Sequence, residues 1–422
     1  MDPLLIGLLA LAALSVLLAA GLPVAVALGG IGVLGAGLTV GWSYTLANVQ
    51  SLPHGFASSY LWTTLPLFVL MGSFAAESGV TVDLFRSAHY LLQRVRGGLY
   101  LAVVASSALF SAISGSTVVN AVVFTRLALP EMLNLGYSRS LSLGCICASG
   151  TFAAMIPPSL TLVMLGLLTD QSIGKLFVAG IVPGLISALV YAFVLLALVR
   201  WRPDLAPVVK RTEMTRQEGR ASLGRSWPAV ALFLLVLGGI YLGWFAPSSA
   251  GAVGAFGAFL LCLMRRRGTG AWLPQALRDT LGVTCSILMI LIGGLFFSRF
   301  LVVAGTVDAV IQWVSVSADP VWLMLGLVLF YLLLGMILDT ASIMIVTLPI
   351  VFPLAIEAGI EPLWFSILLV KLIEVAVFSP PIGINLFATL SAAGKDGNLR
   401  SLYRGVTPFL FAEIINLLIL FL

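Results

Sequence analysis

Long apolar blocks run through the whole chain, punctuated by short polar clusters and by glycine and proline. A membrane-spanning helix needs about 20 apolar residues. The blocks predict ten full crossings, near residues 4–21, 23–41, 61–80, 141–169, 175–199, 227–245, 250–264, 281–303, 364–390 and 405–422. Two other apolar stretches, 99–135 and 321–357, differ because each has flanks of a single character. Arg94, Arg96, Arg126 and Arg139 surround the first; Asp308, Asp319, Glu357 and Glu361 surround the second, with no base. Each stretch must enter and leave on one side, so both are expected to be re-entrant hairpins. A short amphipathic helix along the membrane surface is expected before each. In the first, Leu84, Ala88, Leu91 and Val95 oppose Arg86, Gln93, Arg94 and Arg96; in the second, Val307, Val310, Ile311 and Val314 oppose Asp308 and Gln312. Such a helix is either an interfacial anchor or a hinge arm between a fixed and a moving part.

The pattern also repeats. Pro157 and Pro158 recur as Pro380 and Pro381, Pro130 as Pro353, and Gly136 as Gly359, all 223 residues on. Pro23 and Gly30 recur as Pro247 and Gly254, and Asp83, Gly180 and Pro183 as Asp308, Gly405 and Pro408, at offsets of 224 and 225. Ordered matches at a nearly constant offset indicate duplication. The halves are 1–200 and 227–422, joined by a polar linker at 201–226.

Composition fits a surface that faces lipid: 60% of residues are hydrophobic, 9% are charged, and mean hydropathy is +1.12. A soluble domain carries about 25% charged residues. An ordinary soluble enzyme is therefore excluded, and an all-α polytopic membrane protein is expected. The net charge of +5 speaks of topology, with no nucleic-acid partner implied. Nineteen of the 22 Lys and Arg fall in five segments: Arg86 to Arg96, Arg126 with Arg139, Arg200 to Arg225, Arg265 to Arg278, and Lys395 to Arg404. Cytoplasmic loops carry an excess of such residues. Placing all five inside inverts the second half relative to the first and puts both termini on the periplasmic side. No base precedes Arg86, so the apolar N-terminus reads as a first span rather than a cleavable signal. Cys145, Cys147, Cys262 and Cys285 lie in apolar runs and are expected to be inert, buried thiols.

Backbone groups freed by a helix break are tolerated at membrane depth only where they line a cavity or are buried in protein. Four breaks stand out: Ser114-Gly115-Ser116-Thr117 and Asp339-Thr340-Ala341-Ser342 at the hairpin tips, Ser149-Gly150-Thr151 to Pro157-Pro158-Ser159, and Ser379-Pro380-Pro381-Ile382-Gly383-Ile384-Asn385. They pair across the repeat. Broken helices in corresponding positions of two inverted halves point to the central site of a secondary transporter. Half-helix N-termini offer amides to a carboxylate, and freed carbonyls and hydroxyls offer oxygens to a hard cation such as sodium. Ionisable residues within spans are costly and usually functional. Asp339 is either a sodium ligand or a helix cap. Lys371 and Glu374, one helical turn apart, are expected to form a structural ion pair. Arg299, near the outer end of a span, either snorkels to the interface or meets a substrate carboxylate. Glu77 and Glu413 are expected to be solvated or capping, His54 to lie in an outer loop and His89 on the surface helix.

Seven stretches together resemble the large membrane subunit of the tripartite ATP-independent periplasmic (TRAP) transporters, the DctM-like family. They are Leu65 to Gly72, Phe110 to Ala121, Leu127 to Ser142, Gly150 to Leu160, Leu167 to Gly184, Leu338 to Ile350 and Val370 to Phe387. The resemblance implies an elevator fold of the ion transporter superfamily and sodium-driven uptake of an organic acid, such as a C4-dicarboxylate or a sialic acid, delivered by a periplasmic binding protein. It implies no cofactor beyond coupling sodium ions, and a home in a bacterial or archaeal cytoplasmic membrane. One sodium site would use Ser114, Gly115, Ser116, Gly150 and Thr151. The other would use Asp339, Thr340, Ser342, Pro380, Gly383 and Asn385. Substrate would lie between the tips near Ser116, Thr117 and Thr340, and Arg299 matches no position of the family pattern. The chain has no room for the small four-helix subunit that some relatives carry fused, so a separate small subunit is expected.

Other readings compete. A binding-protein-independent sodium/dicarboxylate symporter of the same superfamily would share these motifs. A passive channel or scaffold is a further alternative, which sodium-independent, non-saturating flux would favour. An intramembrane hydrolase would need a nucleophile and base at matching depth, whereas both histidines are expected outside the membrane core.

Overall fold

The apolar blocks become helices, and among the described residues no other regular element occurs. The computed structural model describes residues 2–207, 216–265, 270, 272–317, 320–335, 338–381 and 383–421. Lys210, Arg211, Arg266, Arg267, Asp319 and Ile382, invoked above, lie outside the described residues. The first half comprises α1 (Pro3–Ala19), α2 (Val24–Thr39), α3 (Trp42–Ala57), α4 (Thr64–Glu77), α5 (Val80–Leu92), α6 (Gly98–Ser114), α7 (Thr117–Asn134), α8 (Arg139–Gly150), α9 (Phe152–Met155), α10 (Leu160–Leu168) and α11 (Ile173–Trp201). The second comprises α12 (Arg216–Tyr241), α13 (Pro247–Arg265), α14 (Trp272–Val303), α15 (Thr306–Ser317), α16 (Pro320–Gly335), α17 (Thr340–Glu357), α18 (Pro362–Ala376), α19 (Ile384–Ala393) and α20 (Leu399–Phe421).

Six helices, α11 to α14, α17 and α20, are long and apolar enough to cross a membrane, α12 from Gly219 onward. Two bent pairs qualify jointly, α3 with the segment 60–77, bent by 54°, and α8–α9 with α10, bent by 40°. The N-terminal helices expected at 4–21 and 23–41 have 17 and 16 residues, at the short end for a span. Residues 42–57 form helix α3, so His54 belongs to a helix end and not to an outer loop. Its Ser, Thr, Asn and Gln content hid the helix from a search for apolar blocks.

Both expected hairpins are closed structures. Asn120 of α7 donates to Ser111 Oγ at 2.6 Å and to the Ser107 carbonyl at 3.3 Å on α6, and Ser107 Oγ lies 3.0 Å from Asn120 Oδ1. In the second hairpin, Tyr331 of α16 donates to Thr347 Oγ1 of α17 at 2.6 Å. The surface helix α5 buries Val80, Leu84, Phe85, Ala88 and His89, while Leu91 and Val95 are exposed. Its packed face is thus rotated from the expected stripe, because it lies against α6 and α12. In α15, Val307 is buried, Val310 and Ile311 are half-buried, and Asp308 and Gln312 are exposed, as the sequence suggests; the side chain of Val314 lies outside the described residues.

The halves interlock. α2 packs on α14, α4 on α13 and α8 on α20. Glycine makes two of these crossings possible: a Cβ on Gly144 would strike the Gly405 backbone, and one on Gly293 would strike the Ala25 carbonyl. Small residues at such crossings let backbones meet, which is how helices associate in lipid without a hydrophobic driving force.

Described parts of all five basic segments are tied together at one end. Arg96 donates to the Pro203 carbonyl at 2.7 Å, and Arg139 meets Asp396 at 3.3 Å. Arg265 pairs with Asp83 at 2.5 Å and bonds the Arg225 carbonyl. Backbone and hydroxyl bonds from Tyr100 and Ser138 to Leu205, and from Ser140 to Ser401, complete the belt.

Candidate functional site

The first tip is a helix stop followed at once by a helix start, and the second shows a helix start at Asp339. At the first, Gly115 adopts φ +61, the left-handed conformation that ends α6 and that glycine accepts without strain. Ser116 then caps α7, its Oγ accepting from the Val119 amide at 3.4 Å. At the second tip, Asp339 caps α17 by accepting from the Ala341 and Ser342 amides at 3.0 and 3.4 Å, and it also bonds the Ser342 hydroxyl.

The broken helices stand beside the tips. Ser159 caps α10 and donates to the Ala154 carbonyl at 2.6 Å, closing the loop that carries Pro157 and Pro158. The Leu160 amide reaches back to the Gly115 carbonyl at 3.3 Å, which fixes the first break to the first tip. In the second break the Asn385 amide bonds the Val377 carbonyl at 2.9 Å. A Cβ at Gly383 would stand 2.5 Å from that same oxygen, so only glycine fits.

A cavity of about 490 Å³ joins the two tips. Gly115, Ser116, Thr117, Val118 and Val119 line it from the first tip, and Asp339, Thr340 and Ala341 from the second. Leu160, Thr161 and Met164 of α10, Ile384 of α19, and the face of α14 bearing Gly282, Val283, Ser286, Ile287 and Ile290 close it. Asp339 is the one ionisable residue among the described residues of this lining.

Of the sequence-predicted site residues, Gly115, Ser116, Thr117, Asp339 and Thr340 thus share one cavity. Ser114 sits just behind, its buried hydroxyl without a partner among the described residues. Ser342 is turned onto Asp339, and Asn385 is buried with both amide atoms unpartnered among the described residues. Gly150 packs against Ala121 of α7, whereas Thr151 turns its hydroxyl to the Ala148 carbonyl and to Glu374. Pro380 lies in the second break, away from the cavity lining. Arg299 is exposed and nine residues beyond Ile290, about 14 Å along the helix at 1.5 Å per residue, so it does not reach the cavity.

The expected ion pair forms, with Lys371 Nζ 3.1 Å from Glu374 Oε2, but it is part of a larger cluster. Glu413 is fully buried, 2.8 Å from Lys371 and 2.5 Å from Tyr191 Oη, not solvated near a span end. The four residues after it in α20, Ile414, Ile415, Asn416 and Leu417, contain one more polar residue inside an apolar helix, which was the available signal. His89, also buried, meets Glu131 at 3.2 Å. Cys145, Cys147 and Cys262 are buried, whereas Cys285 is exposed on the outer face of α14. No group of three or more His, Cys, Asp or Glu occurs among the described residues.

Two capped tips and two broken helices around one cavity, inside a largely apolar helical bundle, define a solute transporter of the broken-helix class. Residues 11–422 match the family described as the DctM component of the tripartite ATP-independent periplasmic transporter, and the chain belongs to that family. It is similar to the C4-dicarboxylate TRAP transporter large permease of Pseudomonas aeruginosa, 31% identical over 85% of this chain and 83% of that protein. It is also similar to the isethionate TRAP transporter permease DctMQ of Oleidesulfovibrio alaskensis, 26% identical over 95% of this chain and 62% of that protein. In fold it matches the crystal structure of the YdaH transporter of Alcanivorax borkumensis, with a TM-score of 0.61 and 16% identity over 89% of this chain and 88% of that one. The protein is a multi-pass inner-membrane permease and not an enzyme.

Proposed function

We propose that the chain is the translocation subunit of a sodium-driven importer of an organic acid, receiving its substrate from a periplasmic binding protein. The observation that carries this reading is the charge of the cavity: its one ionisable lining residue, Asp339, is negative. A carboxylate entering alone would meet repulsion in a site of low polarity, so cations must enter with it. The tips divide the work. Asp339 occupies two of the free amides of α17 and adds negative charge, which suits the second tip to sodium, with Thr340, Ser342, Pro380, Gly383 and Asn385 as further ligands. Ser116 is a neutral cap and leaves the Thr117 and Val118 amides of α7 free for the carboxylate. Ser114, Gly115 and Ser116, with Gly150 and Thr151, form the second sodium site. Arg299 has no part in this arrangement.

The two hairpins and broken helices move together past a scaffold containing α14, in an elevator motion with both termini periplasmic. A separate small four-helix subunit braces the scaffold; the relative that is longer than this chain is consistent with such a partner fused elsewhere. Uptake by proteoliposomes tests the proposal. Substrate accumulation should need the binding protein, the small subunit and an inward sodium gradient together. Accumulation by this chain alone would instead favour an independent symporter.

A further inference from the structure

The cavity between the tips has unequal halves. At the 223-residue offset of the repeat, Thr117 of α7 answers to Thr340 of α17, but Ser116 answers to Asp339, and Thr161 of α10 to Ile384 of α19. All six residues line the cavity. Two exchanges thus break its symmetry in the same sense. Where the first half supplies two hydroxyls, the second supplies a carboxylate and an aliphatic side chain.

Hydrogen-bond donors follow that asymmetry. Threonines inside the helices, such as Thr125, Thr280 and Thr347, give their hydrogen to the carbonyl four residues back at 2.7 Å. Thr117 and Thr161 stand in the first turns of α7 and α10, where the residue four back belongs to another element. Neither hydroxyl has a partner among the described residues. Thr161 is only 5% exposed yet lines the cavity, so its hydroxyl is left to bond what enters there. Its neighbour Leu160 bonds the Gly115 carbonyl at 3.3 Å, which sets this turn of α10 beside the first tip. The α14 wall offers no such donor. Ser286 spends its hydrogen on the Gly282 carbonyl at 2.8 Å, and Val283, Ile287 and Ile290 are apolar. No Lys, Arg or His occurs among the described residues of the lining.

We propose that this cavity selects monocarboxylates whose other end is neutral and discriminates against dicarboxylates, with Thr161 and Ile384 as specificity-determining residues. The inference rests on the reading of the cavity as the organic-acid site. The single carboxylate lies at the first tip and accepts from the Thr117 and Val118 amides and the Thr161 hydroxyl. A carboxylate offers about four lone-pair sites, so these donors serve one such group and leave none for a second. At the opposite end a second carboxylate would meet the like charge of Asp339 between apolar walls, with no guanidinium or ammonium to pair with. A hydroxyl there instead donates to Asp339 or accepts from Thr340. Charge balance agrees. Two sodium ions set against Asp339 leave one positive charge in excess, which one carboxylate neutralises. A second carboxylate would add a buried anion without a counter-charge, which is costly.

Thermal denaturation of the full chain in lipid nanodiscs tests this with 6-hydroxyhexanoate and adipate, which match in carbon number and differ only at the far end, hydroxyl against carboxylate. A ligand that binds the folded state raises Tm with its concentration, and the dependence gives its apparent affinity. In sodium, wild type should bind 6-hydroxyhexanoate about tenfold more tightly than adipate. Thr161→Val keeps the side-chain shape, removes the donor and should weaken 6-hydroxyhexanoate several-fold. Ile384→Arg adds a guanidinium to the second half and should bring adipate to at least the affinity of the hydroxy acid. A wild type that binds neither acid, or binds adipate as tightly, overturns the proposal, as does a folded Thr161→Val or Ile384→Arg protein with wild-type affinities. Replacing sodium by choline separates this inference from the reading beneath it. A preference for 6-hydroxyhexanoate at unchanged affinity in choline contradicts the sodium-driven importer and upholds the selectivity, whereas sodium-dependent binding that favours adipate contradicts the selectivity alone.

Discussion

Asp339 and Ser116 hold equivalent cap positions at the two tips, yet one is charged and the other neutral; under the proposed function that difference gives the Asp339 tip a sodium ion alone and the Ser116 tip the carboxylate beside the other sodium ion. Asp339→Ala removes an oxygen ligand and a negative charge while leaving apolar contacts intact. It should raise the sodium concentration for half-maximal uptake at least several-fold, with surface expression close to wild type; unchanged sodium affinity would remove Asp339 from the site. Ser116→Ala and Thr340→Ala should each cut uptake, whereas His54→Ala, at the end of α3 and away from the cavity lining, should not. Uptake assays that rank all three alike would contradict the division of roles. These tip residues were legible in the sequence because Gly, Ser, Thr and Asp interrupt runs that are otherwise apolar. Glu413 was not, because a lone acid near the end of an apolar helix looks the same whether it faces water or a lysine two helices away. The α14 face bearing Gly282 and Ser286 was also invisible, since small residues there fit a plain helix crossing equally well.

At the level of elements, glycine decides how closely helices cross. Gly144 of α8 and Gly405 of α20 lie in backbone contact. Overpacking such a contact costs about 1–3 kcal/mol, so Gly405→Val should lower the Tm of the purified protein and its yield. Gly238→Ala in α12 meets open space and should leave both unchanged. The helices, the two hairpins and the two breaks followed from apolar block length, flanking charge and the recurrence of the double proline. The rotation of α5 did not, because its own periodicity says only that it is amphipathic. Which residues face α6 and α12 is decided by those helices. Helix α3 escaped notice for a related reason: polar residues in a helix that need not cross the membrane leave no apolar block to find.

For the whole molecule, the hydrogen-bonded belt of basic segments places residues 83, 96, 139, 205, 225, 265 and 396–401 at one end. Single cysteines at Lys395 and at Gly359, in the background lacking native cysteines, should be labelled by a membrane-impermeant thiol reagent from opposite sides, Lys395 from the cytoplasm. Labelling of both from one side would contradict the inverted arrangement. An organic anion that enters a cavity whose one ionisable residue, among the described lining residues, is Asp339 should need cations to accompany it. Uptake into proteoliposomes containing this chain, its small subunit and the binding protein, with sodium and choline gradients compared at equal ionic strength, tests it most directly. Substrate should accumulate with the sodium gradient and not with choline; equal, non-saturating flux in both would rule out coupling to sodium.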